Sequence, residues 1–134
     1  MCENLRETTV GELVNKAKDI IKADPGMTVL EAAKLMAAKN VGILPVIGED
    51  GKLLGMLSER DIVHRVVALE KEPSESVVVD AMTPDPVSVK PSTTLEDALC
   101  LMSQLRVRHL LVVDDAGKPL GIVSIRDIMK CKTY

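Results

Sequence analysis

The sequence predicts an α/β fold made of two related repeats, each with the order strand, helix, strand, strand, helix. The main observation is a strand–turn–helix corner that occurs twice, at residues 55–62 (GMLSERDI) and 121–128 (GIVSIRDI). In both corners a glycine and an apolar run, typical of a strand, are followed by Ser-x-x-Asp, which is a capping box and predicts a helix start. The second observation is that the residues before each corner also match.

The offset of Ser124 from Ser58 pairs identical residues along most of both repeats. These pairs include Pro25 with Pro91, Thr28 with Thr94, Ala32 with Ala98, Val41 with Val107, Leu44 with Leu110 and Gly51 with Gly117. No gap is needed between residues 25 and 62, so the chain is a tandem duplication. One unit of about 50 residues would struggle to bury its sheet alone, whereas two units related by a pseudo-twofold axis can pack sheet against sheet.

The elements of each repeat follow from hydrophobic periodicity, capping residues and turn residues. In the first repeat we predict strands at 19–23, 43–47 and 52–57 and helices at 28–39 and 59–69. In the second repeat we predict strands at 86–89, 109–113 and 119–123 and helices at 94–105 and 125–130. Short helical pieces at 10–14 and 78–82 precede the first strands. The predicted organisation is a first repeat at 9–70, a linker at 71–77 and a second repeat at 78–131.

Composition argues against several classes of protein. The net charge of -3 provides no basic surface for general nucleic-acid binding. The chain has no apolar run long enough for a membrane span and no signal-peptide pattern, so we expect a cytoplasmic protein. The cysteines, Cys2, Cys100 and Cys131, are odd in number and too widely spaced for a disulfide framework or a zinc site. Phe and Trp are absent, so a nucleobase pocket must be aliphatic.

Three groups of residues indicate a known family, namely residues 82–86 (MTPDP), residues 40–46 (NVGILPV) and the two corners. In their order they resemble a tandem pair of cystathionine-beta-synthase (CBS) domains, also called a Bateman module, over residues 9–129. The resemblance implies a regulatory sensor that binds an adenosine-type ligand (AMP, ADP, ATP or S-adenosylmethionine) in clefts between the repeats. The pair uses up the chain, which predicts a stand-alone module, without the catalytic barrel of inosine monophosphate dehydrogenases and not an enzyme.

Asp61 and Asp127 admit two interpretations. In the first, each aspartate only caps the backbone N–H groups of the helix that it begins. In the second, which the resemblance implies, each carboxylate accepts hydrogen bonds from both ribose hydroxyls of the ligand, a role that suits its two oxygens. The two roles are compatible. Ser58 and Ser124 are likewise either caps alone or neighbours of the ligand phosphates.

The resemblance also implies roles for residues near the aspartates. Arg60 and Arg126, which precede the aspartates, either face solvent or contact phosphate. Thr83 either begins a turn before Pro84 or contacts the ribose. The first repeat has Asn15 in the corresponding region, which is a poor substitute for a threonine.

The starts of the second strands are expected to complete two unequal sites. In the family, the ribose aspartate of one repeat works with the second-strand start of the other, where the backbone contacts adenine and the side chains contact phosphate. The first predicted site consists of Ser58, Arg60, Asp61, Thr83, Val107, Arg108 and His109. The second predicted site consists of Val41, Gly42, Ile43, Ser124, Arg126 and Asp127. Arg108 and His109 are cationic candidates without counterparts in the second site, although they are alternatively a plain surface pair.

The predicted function is a sensor that binds an adenine nucleotide reversibly and acts on an unidentified protein partner by population shift. We expect a homodimer, because the apolar residues of the corner helices are too many for one buried face. These residues are Ile62, Val63, Val66, Val67, Leu69, Ile128 and Met129. The alternatives are a ligand-free dimerisation or scaffold module and, against the acidic balance, a nucleic-acid-binding protein. The sequence shows no catalytic constellation, metal-ligand cluster or glycine-rich phosphate loop.

Overall fold

The computed structural model describes residues 4–14 and 21–132, apart from the side chains of residues 131 and 132. The chain forms two compact units. The first unit is Ile21–Pro86, and the second unit combines Met1–Ile20 with Val87–Tyr134. Each unit has a three-stranded sheet and its own hydrophobic core, which confirms the predicted α/β fold. The packing of one sheet against the other stays a prediction.

Most helices and strands of the structure match those predicted from the sequence. In chain order the elements are α1 (Val10–Leu13), α2 (Val29–Lys39), β1 (Ile43–Ile47), β2 (Leu53–Ser58), α3 (Glu59–Ile62), a π turn (Val63–Val67), a 3-10 turn (Pro73–Glu75), α4 (Val78–Ala81), β3 (Thr83–Pro84), β4 (Ser88–Val89), α5 (Leu95–Leu105), β5 (His109–Val113), β6 (Pro119–Ser124) and α6 (Ile125–Lys132). The duplication is therefore visible as two sets of equivalent elements.

Three elements differ from the sequence prediction. The strand predicted at 19–23 lies partly outside the described residues, and within them Ala23 forms a single parallel bridge to Val46. The helix predicted at 59–69 is α-helical to Ile62 and continues as the π turn, in which the Ala68 N–H donates to the Val63 carbonyl at 2.8 Å. The strand β3 has no counterpart in the prediction, because two residues carry no hydrophobic periodicity.

Each sheet contains an antiparallel hairpin that ends at a corner. In the first unit the strand order is β1-β2-β3, and Ser58 at the end of β2 lies opposite Ile43. In the second unit the order is β4-β5-β6, and Ser124 at the end of β6 lies opposite His109. Strand β4 pairs parallel with β5. Each corner serine therefore lies beside the start of the neighbouring strand of its own unit.

The compact units divide the chain at different places from the sequence repeats. The helix α1 belongs to the second unit, where the Val10 N–H donates to the Thr93 carbonyl at 2.8 Å. The helix α4 belongs to the first unit, where the Val78 N–H donates to the Met27 carbonyl at 2.8 Å. Each short helix thus joins the unit that does not contain the rest of its own repeat. The predicted boundaries of the repeats stay a sequence prediction.

Both corners are anchored by buried residues before the serine and after the aspartate. In the first unit Leu57 is fully buried just before Ser58, and Val66 of the π turn is 1% exposed. In the second unit Val123 and Ile128 are buried in the same way. Because apolar burial fixes both sides of each corner, the aspartate between them has a defined position.

The long helices α2 and α5 begin and end alike. Thr28 and Thr94 accept hydrogen bonds from backbone N–H groups at the start of these helices, as predicted for caps. The Glu31 carboxylate accepts hydrogen bonds from the backbone N–H of Thr28 and, with a smaller effect, from its hydroxyl. These bonds hold the pKa of that carboxyl below its ordinary value. The helices end at Asn40 and Arg106, which both adopt the left-handed conformation with φ of 55° and 57°. Asparagine tolerates this conformation better than arginine does.

We predict that Arg106→Gly raises the free energy of unfolding by about 0.5–1 kcal/mol. The relief of about 1–2 kcal/mol of left-handed strain exceeds the entropy that glycine costs, about 0.5–1 kcal/mol. Asn40→Gly is the matched variant and should give a smaller gain. Ser103→Gly, inside α5, should lower the stability by about 0.5 kcal/mol. Urea unfolding measures all three, and a loss for Arg106→Gly would contradict this account of the cap.

Candidate functional site

The first corner holds the carboxylate of Asp61 with hydrogen bonds to both of its oxygens. The Ser58 N–H donates to Asp61 Oδ2 at 2.9 Å, and the Asp61 N–H donates to Ser58 Oγ at 3.1 Å. The Thr83 hydroxyl donates to Asp61 Oδ1 at 3.1 Å. Asp61 is only 9% exposed. The carboxylate is therefore fixed in direction, and each oxygen still has a lone pair for a further donor.

Thr83 reaches Asp61 because β3 lies against β2. Thr83 is opposite Met56 in this antiparallel pair. A Cβ at Gly55 would lie 2.6 Å from the Thr83 carbonyl oxygen and from the Met82 sulfur, so only glycine allows this approach. Arg65 of the π turn donates to the Met82 carbonyl at 2.7 Å. Sequence reasoning missed the roles of Gly55 and Arg65, and the one available signal was the glycine that begins each corner.

The second corner holds Asp127 by the same capping box. The Ser124 N–H donates to Asp127 Oδ2 at 2.9 Å, and the Asp127 N–H donates to Ser124 Oγ at 3.1 Å. Within the described residues, Asp127 has no third hydrogen bond like that from Thr83. The predicted caps are thus confirmed at both corners, while the ligand-binding role of the aspartates stays a prediction. Asn15, the weak candidate of the first repeat, lies outside the described residues.

The starts of β1 and β5 lie beside the corners of their own units. The Glu59 N–H donates to the Gly42 carbonyl, and the Ile125 N–H donates to the Arg108 carbonyl, both at 2.9 Å. The Glu59 carboxylate covers Gly42, since a Cβ there would lie 2.9 Å from Glu59 Oε1. The repeat offset places Arg108 and Ile125 at these two positions in the second unit. The start of β1 therefore has the Glu59 carboxylate beside it, whereas the start of β5 has the arginine Arg108.

The remaining predicted site residues are three arginines and four residues at the strand starts. Arg60, Arg126 and Arg108 are exposed, and none of them forms an ion pair with another residue of 4–14 or 21–132. The half-buried or exposed residues of the strand starts are Val41, Ile43, Val107 and His109. The pairing of Asp61 with Arg108 and His109 concerns residues of different units and stays a prediction.

Two kinds of feature are missing from the described part of the chain. No group of three or more His, Cys, Asp or Glu side chains there is arranged to hold a metal ion. No helix among these residues is long and apolar enough to cross a membrane.

We predict that Thr83→Val lowers the free energy of unfolding by about 0.5–1.5 kcal/mol, because it removes a hydrogen bond to a nearly buried carboxylate but keeps the side-chain shape. Thr83→Ser retains the hydroxyl and is the control. Chemical denaturation compares the two variants. Equal stability of Thr83→Val and the wild type would show that the hydroxyl contributes nothing to the corner.

The model of the CBS domain family matches residues 10–68 and 78–133. The chain belongs to the CBS domain family, as a tandem pair. It is 32% identical over 130 residues to the uncharacterized protein MK0525 of Methanopyrus kandleri, covering 97% of this chain and 65% of that protein. It is 38% identical over 117 residues to inosine-5'-monophosphate dehydrogenase of Methanocaldococcus jannaschii, covering 87% of this chain. It spans only 22% of that dehydrogenase.

Solved CBS pairs share this fold and include ligand complexes. The structure of CBSX2 in complex with AMP is 34% identical, with a TM-score of 0.81 and coverage of 93% of this chain and 96% of that one. CBSX2 is a protein of Arabidopsis thaliana. The CBS domain pair of protein MJ0100, in complex with 5-methylthioadenosine and S-adenosyl-L-methionine, is 27% identical with a TM-score of 0.84. It covers 94% of this chain and 100% of that one.

Proposed function

We propose that this protein is a regulatory sensor that binds an adenosine-type ligand through the aspartates of its two corners. The observation that carries the proposal is the oriented, nearly buried carboxylate of Asp61, which has lone pairs left for the two hydroxyls of a ribose. The complexes of related CBS pairs with AMP, 5-methylthioadenosine and S-adenosyl-L-methionine support it, because these ligands share the adenosine group.

The sensor acts by shifting a conformational equilibrium. A ligand that binds one conformation of a protein more tightly than another shifts the equilibrium toward the first. The free energy of the shift is at most the difference between the two binding free energies. An adenine nucleotide that hydrogen-bonds to the corner aspartates favours the conformations in which these carboxylates are accessible and correctly oriented. The regulated protein partner then responds to the population of that conformation.

Binding by the two aspartates is unequal. The tighter binding of a nucleotide phosphate depends on Asp61 together with Arg108 and His109, following the residue pairing of the family. The binding that depends on Asp127 uses the start of β1, where Gly42 has no side chain and the Glu59 carboxylate lies against it. A carboxylate repels a phosphate and an arginine attracts it. AMP therefore binds more tightly in the site that depends on Asp61 than in the site that depends on Asp127.

We predict that an adenine nucleotide raises the melting temperature of the protein. Ligand at 100 times its dissociation constant adds about 2.7 kcal/mol to the free energy of unfolding if it binds only the folded state. A thermal-shift panel of AMP, ADP, ATP, 5-methylthioadenosine and S-adenosylmethionine makes the measurement, with inosine monophosphate as a control for the base. If none of them at millimolar concentration shifts the melting temperature, the ligand-free scaffold becomes the better account.

We predict that Asp61→Ala removes the tighter phase of AMP binding, whereas Asp127→Ala leaves it intact. A hydrogen bond to a charged group contributes about 1.5–3 kcal/mol, or roughly ten- to a hundredfold in affinity, which separates two phases in a titration. Isothermal calorimetry on the wild type and both variants measures this. Equal losses, or the reverse order, would show that the half-sites are paired wrongly or that Arg108 and His109 contribute little.

We propose that the sensor is a homodimer. Three residues of the predicted apolar set belong to the cores, because Val66 and Ile128 are buried and Ile62 packs against the first core. The other four, Val63, Val67, Leu69 and Met129, are exposed. Val63, Val67 and Leu69 are 52%, 58% and 58% exposed. Val63 also borders a groove next to the C-terminal half of α2. Large apolar side chains exposed this close together in the chain favour an interface, and a twofold dimer is the commonest closed assembly.

We predict that light scattering gives twice the chain mass at tens of micromolar protein, and that Val67→Glu converts the dimer to a monomer. A buried, unpaired carboxylate at the interface costs more than the dimer can offset. Val79→Glu, at an exposed valine of α4 outside this set, is the matched control and should leave the dimer intact. A monomer mass for the wild type would contradict the proposal, and so would dissociation by both variants.

A further inference from the structure

Arg65 links the helix of the first corner to the segment that carries Thr83. Its Nη1 donates to the Met82 carbonyl at 2.7 Å and reaches the Ala81 carbonyl at 3.4 Å. These carbonyls lie at the C-terminal end of α4, where helix carbonyls have no partner within the helix. Thr83 is the residue after Met82, and its hydroxyl donates to Asp61 Oδ1. Arg65 therefore connects the two parts of the chain that meet at the Asp61 carboxylate.

The side chain of Arg65 suits this contact because a guanidinium is always charged and has several donors in one plane. Hydrogen bonds from a charged donor are shorter and stronger than those between neutral groups, and the 2.7 Å contact has the length typical of such a bond. Arg65 lies in the middle of the π turn, a conformation that adds one residue to the turn and changes the direction of the side chains that follow Ile62. The departure from an α-helix thus coincides with the residue that makes the contact.

The second unit provides an internal comparison. The repeat offset places Cys131 at the position of Arg65, and the equivalent helices α1 and α4 place Asn15 at the sequence position that corresponds to Thr83. Cysteine has no guanidinium and asparagine has no hydroxyl, so the second unit has neither member of the pair. The two residues are present together in one unit and replaced together in the other. This is the pattern expected if Arg65 acts through Thr83.

We propose that Arg65 is a positioning residue for ligand binding at Asp61. By holding the Met82 carbonyl, Arg65 fixes Thr83 against Asp61 Oδ1, so that the carboxylate presents its remaining lone pairs to the ligand in one direction. Arg65 itself touches no ligand. The inference rests on the proposed function, because it assigns a residue that prepares the same carboxylate for an adenosine-type ligand.

The test is a double-mutant cycle in AMP affinity, measured by calorimetry on the intact chain. Arg65→Met should weaken the Asp61-dependent phase by about three- to tenfold and leave the Asp127-dependent phase unchanged. Arg65→Lys keeps a charged donor and should recover part of the loss. In a Thr83→Val background, Arg65→Met should weaken binding by less than about twofold, because the group through which Arg65 acts is already absent.

A ligand-free measurement tests separately whether Arg65 holds the segment that carries Thr83. Hydrogen exchange of the backbone amides of Met82, Thr83 and Asp85 should be faster in Arg65→Met than in the wild type, while the amides of β5 and β6 are unaffected. If the wild type binds no adenosine ligand, the proposed function fails and the positioning role fails with it. If the wild type binds AMP but Arg65→Met binds it equally well, the positioning role alone is overturned. An equal loss with and without the Thr83 hydroxyl overturns it too.

Discussion

The capping hydrogen bonds between Ser58 and Asp61 are the interaction on which the candidate site depends. A helix that starts at a strand end leaves backbone N–H groups without acceptors within the helix. The serine hydroxyl accepts a hydrogen bond from one of them, the Asp61 N–H. The aspartate in turn accepts from the serine N–H, so its carboxylate is held in one direction before any ligand arrives. The same bonds at Ser124 and Asp127 give the second unit an equivalent group. A local requirement of the backbone thus orients the group proposed to bind the ligand.

The two corners share this interaction and differ in what surrounds it. In the first unit, Gly55 admits β3 and so brings the Thr83 hydroxyl to the aspartate. The corresponding residue in the sequence of the other unit is Asn15, which has no hydroxyl. The strand starts differ in charge, with Glu59 beside Gly42 in one unit and Arg108 beside Ile125 in the other. Duplication accounts for the common fold, and these substitutions account for two corners with different chemistry.

Features set by neighbouring residues were predictable from the sequence. The caps at Thr28 and Thr94 and the two corner helices each depend on a few consecutive residues, and the structure has all of them. The aspartates were likewise found as candidates because Ser-x-x-Asp is a local pattern. A local pattern of this kind does not predict whether the aspartates bind a ligand.

Features set by distant residues were not predictable in this way. The π turn occurs where Val66 enters the core and Arg65 contacts the end of α4, and neither contact is visible as periodicity. The strand β3 exists because Gly55 lets it approach, which is a property of the partner strand. The membership of α1 in the second unit depends on contacts with residues such as Thr93, far away in the sequence. For the same reason the roles of Gly55, Glu59 and Arg65 became apparent only in the structure.

The most direct test of the central claim compares AMP with 2′-deoxy-AMP, by calorimetry on the wild type and on Asp61→Asn. If the Asp61 carboxylate accepts hydrogen bonds from both ribose hydroxyls, the wild type should bind the deoxy ligand about ten- to a hundredfold more weakly in the tighter phase. In Asp61→Asn this difference should largely disappear, because the charged acceptor is gone. Equal affinity of the wild type for the two nucleotides would contradict the claim that the corner aspartate recognises the ribose.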